Sequence, residues 1–431
     1  MDNRNPFQEL FNKQRAFQYT VGNTSAADRI KKLKQLRVAL ENTYKEPVSA
    51  PGTLLGSQSY ILNEPKGVCL IISPWNYPIN LTFGPLVSAI AGGNTVVLKP
   101  SEMTPHSSKL MADIIGALFN DCEVALVEGE KETSEALLEL PFNHIFFTGS
   151  PMVGKLVMKA AAQNLSSVTL ELGGKSPVIV HHSANVKKAV KRIVYGKFTN
   201  AGQTCIAPDY ILIHNSLKEQ FIKYFKEEVR AMYSNNPETS SAYSRIVNEK
   251  HLNRLQSYLE DVKHNGGTVE YGGKLNPSTC YLEPTLVTNL PDNAVLMQEE
   301  IFGPILPVKT YTHIEEAVDY INANEKPLAL YLFSKDKTTI NFVLKNTRAG
   351  GSCVNHVLLH FLNHNLPFGG VNNSGIGKSH GIFGFKEFTN QRSVLHQRTI
   401  SAVDWLMPPY TNWKQKLVNF SLKWFNVHIK L

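Results

Sequence analysis

From Val68 onward, short apolar runs alternate with stretches in which apolar residues recur at helical spacing. Val68-Cys-Leu-Ile-Ile-Ser73 and Thr95-Val-Val-Leu-Lys-Pro100 are continuous apolar runs of strand length, and Leu81 to Ala91 between them has the length of a helix. The pattern predicts a helix over His106 to Phe119, a strand over Glu123 to Val127, a helix over Thr133 to Leu138 and a strand over His144 to Thr148. A helix from Pro151 to Asn164 and strands over Val168 to Leu172 and Pro177 to Val180 follow. Strands that are apolar on both faces and separated by helices imply βαβ units and a mostly parallel sheet covered on both sides. Beyond Lys187 the alternation continues with different loop motifs, so a second α/β domain is expected to begin near Gly173. Ahead of all this, Leu33, Leu36 and Leu40 lie at helical spacing among charges and predict an amphipathic helix, ended by Pro47 to Gly52. Residues 67–98 run 32 positions without a charge, long enough to span a bilayer. Pro74, Pro78 and Pro85, with Gly67, Gly84, Gly92 and Gly93, would break such a helix repeatedly, so a strand, loop, helix and strand of a buried core are expected instead.

Composition changes the picture little. The 431 residues, 42% hydrophobic and 19% charged, suit a globular chain of two or three domains. Charge is more informative: 44 Lys+Arg against 36 Asp+Glu give +8, but residues 388–431 hold six basic residues against the single acid Asp404. The body is therefore nearly neutral, without the basic clusters and interleaved aromatics expected of a nucleic-acid protein. Cys69, Cys122, Cys205, Cys280 and Cys353 are scattered and odd in number, with no metal-ligand spacing and no disulfide framework. A reducing, cytoplasmic setting without a bound metal is expected, and the first residues lack the apolar segment of a signal peptide.

Four loops could carry chemistry. Thr148-Gly149-Ser150-Pro151-Met-Val-Gly154-Lys155 stacks helix-start signals directly after a strand, a place where unsatisfied N–H groups favour a phosphate. A structural βα turn without a ligand is the plainer alternative. Phe198-Thr-Asn-Ala-Gly-Gln-Thr-Cys205 gives one cysteine a small, polar, glycine-containing approach, as a nucleophile requires, although cysteines are more often simply buried. Thr169-Leu-Glu171-Leu-Gly-Gly174 sets an acid between apolar neighbours at a strand end, where burial would raise its pKa towards that of a general base; a water-facing carboxylate is the alternative. Ser73-Pro74-Trp75-Asn76-Tyr77-Pro78 holds an amide in a stiff loop, as an oxyanion donor or as a turn-forming Asn. The stretch Asn365 to Gly377, with four glycines and three asparagines in 13 residues, reads as a structured loop.

Taken in order, Pro74-Trp-Asn-Tyr-Pro78, Lys99-Pro-Ser-Glu102, Phe147-Thr-Gly-Ser150, Glu171-Leu-Gly-Gly174, Gly202-Gln-Thr-Cys205, Glu299-Glu-Ile-Phe-Gly-Pro304 and Leu366-Pro-Phe-Gly-Gly370 resemble the aldehyde dehydrogenase superfamily. Asn76 to Leu81, Gln203 to Tyr210 and Glu325 to Tyr331 look like its class 3 branch, which takes medium- to long-chain and aromatic aldehydes. The resemblance implies an α/β fold with a Rossmann-like cofactor domain, an α/β catalytic domain and a small strand arm for oligomerisation. It implies Cys205 as nucleophile, Asn76 as oxyanion donor and Glu171 as the base that activates the hydrolytic water. For the cofactor it implies Trp75, Gly149, Ser150, Gly154 and Leu172 around the pyrophosphate helix and nicotinamide, Lys99 and Glu102 at the adenosine ribose, and Glu300 and Phe302 at the nicotinamide ribose and ring. NAD is the expected cofactor, with NADP open, and a homodimer the expected assembly. A non-catalytic cofactor-binding relative and a coenzyme A-acylating dehydrogenase remain alternatives.

Mapped onto the chain, the resemblance divides it into 1–54, a shortened N-terminal helical part of the cofactor domain; 55–67, an oligomerisation strand; 68–172, the NAD(P)-binding domain; 173–383, the catalytic domain; 384–398, the second arm strand; and 399–431, a basic amphipathic tail. Ser59 to Leu62 and Ser393 to Leu395 are expected to pair in the arm. Between Lys45 and Gln58 only a short Pro/Gly link is expected, where family members usually have more helical segments. In the tail, helical angles put Trp413, Leu417, Phe420, Trp424 and Val427 on one face, bordered by Lys416, Lys423 and Lys430. Packing on the body or on a partner subunit is the expected use of this face, with peripheral membrane contact as the sharper alternative.

Overall fold

The computed structural model describes residues 5–22, 45–49, 57–397, 404 and 407–428; the expected helix over Leu33 to Leu40 falls outside them. The first sheet has six strands in the order Gly375–Ile376, Ser167–Leu172, His144–Gly149, Val68–Ile72, Thr95–Lys99 and Val124–Leu126, all parallel except the two-residue edge strand. Helices Pro78–Ala91, Pro105–Leu118, Lys131–Leu138 and Pro151–Gln163 make the crossovers, within a few residues of the positions expected from the apolar pattern. Alternate residues of Val68–Ile72 feed two cores. Val68, Leu70 and Ile72 pack with Phe147, Val157 and Phe11 of helix Gln8–Gly22, while Cys69 and Ile71 pack with Leu86, Ile90 and Phe388. Both faces are covered, which is why the run shows no polar alternation.

Strand order dictates where a site can form. After Val68–Ile72 the chain builds outward through Thr95–Lys99 and Val124–Leu126, then returns to lay His144–Gly149 on the other side of Val68–Ile72. The crevice outside the carboxyl ends of these two neighbouring strands is a topological switch point, the general ligand position of open parallel sheets. Two of the expected motifs, Pro74 to Pro78 and Gly149 to Gly154, are the segments that leave those two strand ends.

The second sheet has seven strands in the order Thr268–Tyr271, Thr285–Thr288, Ile305–Tyr311, Tyr210–His214, Pro177–Val180, Ala329–Phe333 and Gly351–Val354, with only the first pair antiparallel. Val178 and Val180 enter one core and Ile179 the other. A third, antiparallel sheet joins Lys45–Val48, Gln58–Pro65 and Thr389–His396, and in it Ser59 pairs with Leu395 and Ile61 with Ser393. Lys45–Val48 corrects the expected featureless link, because those residues form an edge strand. Pro47 concealed it, yet an edge position tolerates a residue that cannot donate to the ladder.

Candidate active site

The nucleophile loop is built from strain and anchoring. Helix Val186–Phe198 ends, and Asn200, Ala201 and Gly202 then take φ of 51°, 52° and 76°. Two of these three left-handed residues are not glycine, a costly conformation that only a firmly held loop keeps. The Gln203 side chain holds it: Nε2 donates to the carbonyls of Asn200 and Arg245, 3.0 Å each, and Oε1 accepts from the Val247 N–H at 2.9 Å. Gly202 has no alternative residue, since a Cβ there would lie 2.4 Å from the Gly303 carbonyl oxygen. The Cys205 that follows is half-buried.

Around Cys205 lies a cavity of about 210 Å³ at the switch point. Of the residues expected at the site, Trp75, Asn76, Gly149, Ser150, Glu171, Leu172, Cys205, Glu300 and Phe302 line it. Asn76 Nδ2 donates to the Gln203 carbonyl at 3.0 Å, and the Asn76 carbonyl accepts from Asn200 Nδ2 at 2.9 Å, so the amide is locked to the nucleophile loop. Its second N–H is the one available to a developing oxyanion. Glu171 is the penultimate residue of the strand Ser167–Leu172 and accepts a hydrogen bond from the Ser379 hydroxyl. Burial pushes its carboxyl up to about 7, against the opposing pull of the Ser379 hydroxyl and the Lys378 ammonium. Burial, and then the negative charges of Glu171 and Glu300, push the Cys205 thiol up to about 12, so the resting nucleophile is a neutral thiol.

Residues expected at the cofactor surround the same cavity or flank it. Ser150 caps helix Pro151–Gln163, its hydroxyl accepting from the Val153 N–H at 3.4 Å, with Pro151 in the first turn. The Met152 N–H, the Val153 N–H held only at 3.4 Å and the helix dipole fit a pyrophosphate. Gly154 lies behind the cavity, where a Cβ would meet Leu172 Cδ2 at 2.7 Å; its smallness lets the helix close on the sheet. Lys99 and Glu102 stand outside the cavity, 3.8 Å apart, at the end of the strand adjoining Val68–Ile72. Lys99 is only 2% exposed and donates to the Pro100 carbonyl at 2.7 Å. Trp75 and Phe302 meet edge to face at 5.3 Å, leaving an aromatic wall. Burial, and then the charge of Asp209, raise the Glu300 carboxyl to about 8.

Several residues of the site escaped sequence reasoning. His251 and Arg254 line the cavity from helix Glu249–His264, His251 against Trp75 at 5.2 Å, and Arg254 donates to the carbonyl of Ile301 at 3.0 Å and to that of Phe302. That helix carries only an ordinary amphipathic pattern, so nothing in the sequence marks them. Lys175 and Asp209 were readable, since Asp209 stands inside the stretch Gln203 to Tyr210 and Lys175 directly follows Gly174. They form a 2.5 Å ion pair, and together they hold the segment that presents Glu300: Lys175 donates to the carbonyls of Leu296 and Glu299, and Asp209 accepts from the Ile301 N–H at 2.9 Å.

The profile of the aldehyde dehydrogenase family matches residues 14–394. The chain belongs to that family. It is 44% identical over 400 residues to 4,4'-diaponeurosporen-aldehyde dehydrogenase of Staphylococcus aureus, covering 93% of this chain and 85% of that protein. To aldehyde dehydrogenase family 3 member A2 of Mus musculus it is 45% identical over 338 residues, 78% of this chain and 69% of that one, which supports the class 3 branch. Among solved structures, substrate-bound AldH of Staphylococcus aureus superimposes with a TM-score of 0.91 at 39% identity, over 97% of this chain and all of that one. Betaine aldehyde dehydrogenase of the same organism, in complex with NAD+, superimposes with a TM-score of 0.80 at 27% identity, over 92% and 88%. Family membership makes this chain an NAD(P)-dependent oxidoreductase that converts aldehydes to carboxylic acids.

Proposed function

We propose that Cys205 attacks the aldehyde carbonyl, that Asn76 and the Cys205 backbone N–H hold the resulting oxyanion, and that Glu171 activates the water that later hydrolyses the thioester. The observation that carries this reading is the convergence of these three side chains on one cavity walled by Trp75 and Phe302. The thiol proton must leave for attack, and Glu171, poised near neutrality, is an acceptor on the same cavity. When bound, an oxidised nicotinamide supplies the hydride acceptor and a positive charge. The helix at Ser150 would hold its pyrophosphate, Lys99 and Glu102 the adenosine ribose, and Glu300 and Phe302 the nicotinamide end. A carboxylate at position 102 suits a ribose hydroxyl better than a 2′-phosphate, which favours NAD over NADP.

The same reading covers substrate and setting. Medium- to long-chain aliphatic or aromatic aldehydes fit the class 3 likeness, a homodimer fits the three-stranded arm, and the setting is cytoplasmic with peripheral membrane contact through the tail. In helix Asn412–His428, Trp413, Leu417 and Phe420 are exposed rather than packed on the body, which favours an outside partner for that face. Trp424, Val427, Lys423 and Lys430 lie beyond the side chains described. Among the described residues no helix is long and apolar enough to cross a membrane. The test of function is direct: mix protein, NAD or NADP and an aldehyde series, and follow absorbance of the reduced cofactor. Turnover that does not accelerate with coenzyme A supports the carboxylate-forming reaction; no signal with any aldehyde overturns the enzyme reading.

A further inference from the structure

The helix Val186–Phe198 that delivers the nucleophile loop also carries a charged stripe. Lys188, Lys191, Arg192 and Tyr195 stand at offsets of three, four and seven residues, so they share one face. With Met232 and His356 they line a cleft of about 410 Å³. An adjoining cleft shares Lys188 and Arg192 and adds Lys335. No acidic side chain lines either cleft, and among the described residues neither Lys188 nor Lys191 enters an ion pair. In a body whose charge is otherwise nearly balanced, this is a concentrated and uncompensated positive patch.

Its place relative to Cys205 gives it a use. Tyr77 Oη bonds Thr204 Oγ1 at 2.9 Å, beside the nucleophile, and Tyr195 of the basic cleft accepts at its carbonyl from Thr199 Oγ1 at 2.7 Å, where the nucleophile loop begins. Behind the nucleophile Tyr331 is fully buried, its hydroxyl donating to the Ile206 carbonyl at 2.7 Å. Arg192 donates to the Asn355 carbonyl, and a Cβ on Gly196 would lie 2.3 Å from Val357, so the helix face and the loop after Gly351–Val354 are in contact. Neither Tyr77 nor Tyr195 lines the cavity assigned to the cofactor. The helix that ends at the nucleophile loop therefore also carries the basic cleft, none of whose lining residues belongs to the cavity assigned to the cofactor.

We infer that the cleft lined by Lys188, Lys191 and Arg192 is a distal subsite for an anionic end group, so that this enzyme takes aldehydes bearing a carboxylate or phosphate at the end remote from the carbonyl. The inference rests on Cys205 being the nucleophile and adds to it a rule of substrate choice. The cations attract the far end of the substrate and do not touch the reacting atoms, so they act on KM and leave kcat alone. Their exposure keeps the attraction modest and sensitive to salt.

The experiment compares aldehydes of equal length that end in a methyl group or an ω-carboxylate, from four to twelve carbons, with an ω-phosphate series as a second arm. The unmutated enzyme should prefer the anionic member at medium length by about five- to tenfold in kcat/KM, the size expected of two or three exposed ion pairs. The gain should lie in KM and fade in 0.5 M salt. Lys188→Glu/Lys191→Glu should abolish or reverse the preference while methyl-ended aldehydes keep their rates. The stronger of the two anionic arms identifies the end group. Equal kcat/KM for anionic and methyl-ended aldehydes at every length, or a preference unchanged in the double variant, would overturn the subsite. Calorimetric binding of the α,ω-dicarboxylic acid products gives an answer independent of turnover. Weaker binding in the double variant supports the subsite and unchanged binding refutes it, even if no aldehyde is oxidised and the catalytic reading itself fails.

Discussion

At the scale of single residues, Glu171 governs both pH dependence and stability. Its carboxyl titrates near 7 because it is buried, so the base form appears as pH rises through that value. Thioester hydrolysis should therefore climb about tenfold per pH unit below 7 and level off above it, as read by steady-state turnover. In Glu171→Gln the first acylation should slow, the thiol proton passing to solvent instead of Glu171, yet still outrun thioester hydrolysis, so that a burst of reduced cofactor is released before turnover stalls. Full steady-state activity would refute the assignment, as it would in Cys205→Ala, which should be inactive. Stability runs the opposite way. The folded-state pKa lies above the unfolded 4.5, so protonation stabilises the fold at low pH, and this contribution is lost between 4.5 and about 7. Glu171→Gln should thus melt higher than the unmutated protein above pH 7, by something like 2 °C, with the difference closing towards pH 4.5. The burial of this carboxylate was suggested by its apolar neighbours at a strand end, with a water-facing acid as the alternative, and the structure leaves it 6% exposed. Its partner Ser379 was not legible, because 208 residues separate them and only the pairing of Gly375–Ile376 with the strand of Glu171 brings them together.

Among elements, what mattered was which loops are held and by what. Asn76 is fixed by the stiff proline loop and by its bonds to the nucleophile turn, so Asn76→Ala should lower kcat by about 10²–10³ with little change in cofactor binding. The segment Leu296 to Phe302 depends instead on the Lys175–Asp209 pair. Lys175→Met leaves Asp209, 4% exposed, without its counter-charge, and should cost about 3–5 kcal/mol, measured by denaturant melts, while raising KM for the cofactor. Removing both charges in Lys175→Met/Asp209→Leu should recover much of the stability but not the KM, since Ile301 then loses its acceptor. Alternating strands and helices were readable from apolar runs because burial on both faces leaves no polar alternation to confuse them. The edge strand Lys45–Val48 and the site residues His251 and Arg254 were not, since one hides behind a proline and the others sit on a helix whose pattern records only its buried face.

For the molecule as a whole, charge and exposed apolar surface are distributed unevenly, and the sequence showed the first better than the second. Five of the eight surplus positive charges lie in the last 44 residues, as simple counting gives. Helical angles also put Trp413, Leu417 and Phe420 on a common face. What the sequence did not show is that the folded body leaves them uncovered, with Phe420 70% exposed and Trp413 51%. Three large apolar side chains on an exposed helix with basic neighbours are costly to leave in water unless something covers them. A second subunit and an anionic lipid surface both meet that need, and they respond differently to removal of the tail. A chain ending before Pro408 keeps both sheets, the arm strand Thr389–His396 and every residue lining the catalytic cavity, so its turnover of a short, water-soluble aldehyde should match that of the full chain. If the tail is a lipid contact, the shortened protein keeps its assembly state in sedimentation but no longer pellets with anionic liposomes, and its rate on long-chain aldehydes presented in liposomes falls. If the tail is a subunit contact, the dimer weakens and liposome binding, absent from the start, does not change. We expect the first outcome, because the basic border is complementary to an anionic surface, whereas across a twofold axis it would face another copy of itself.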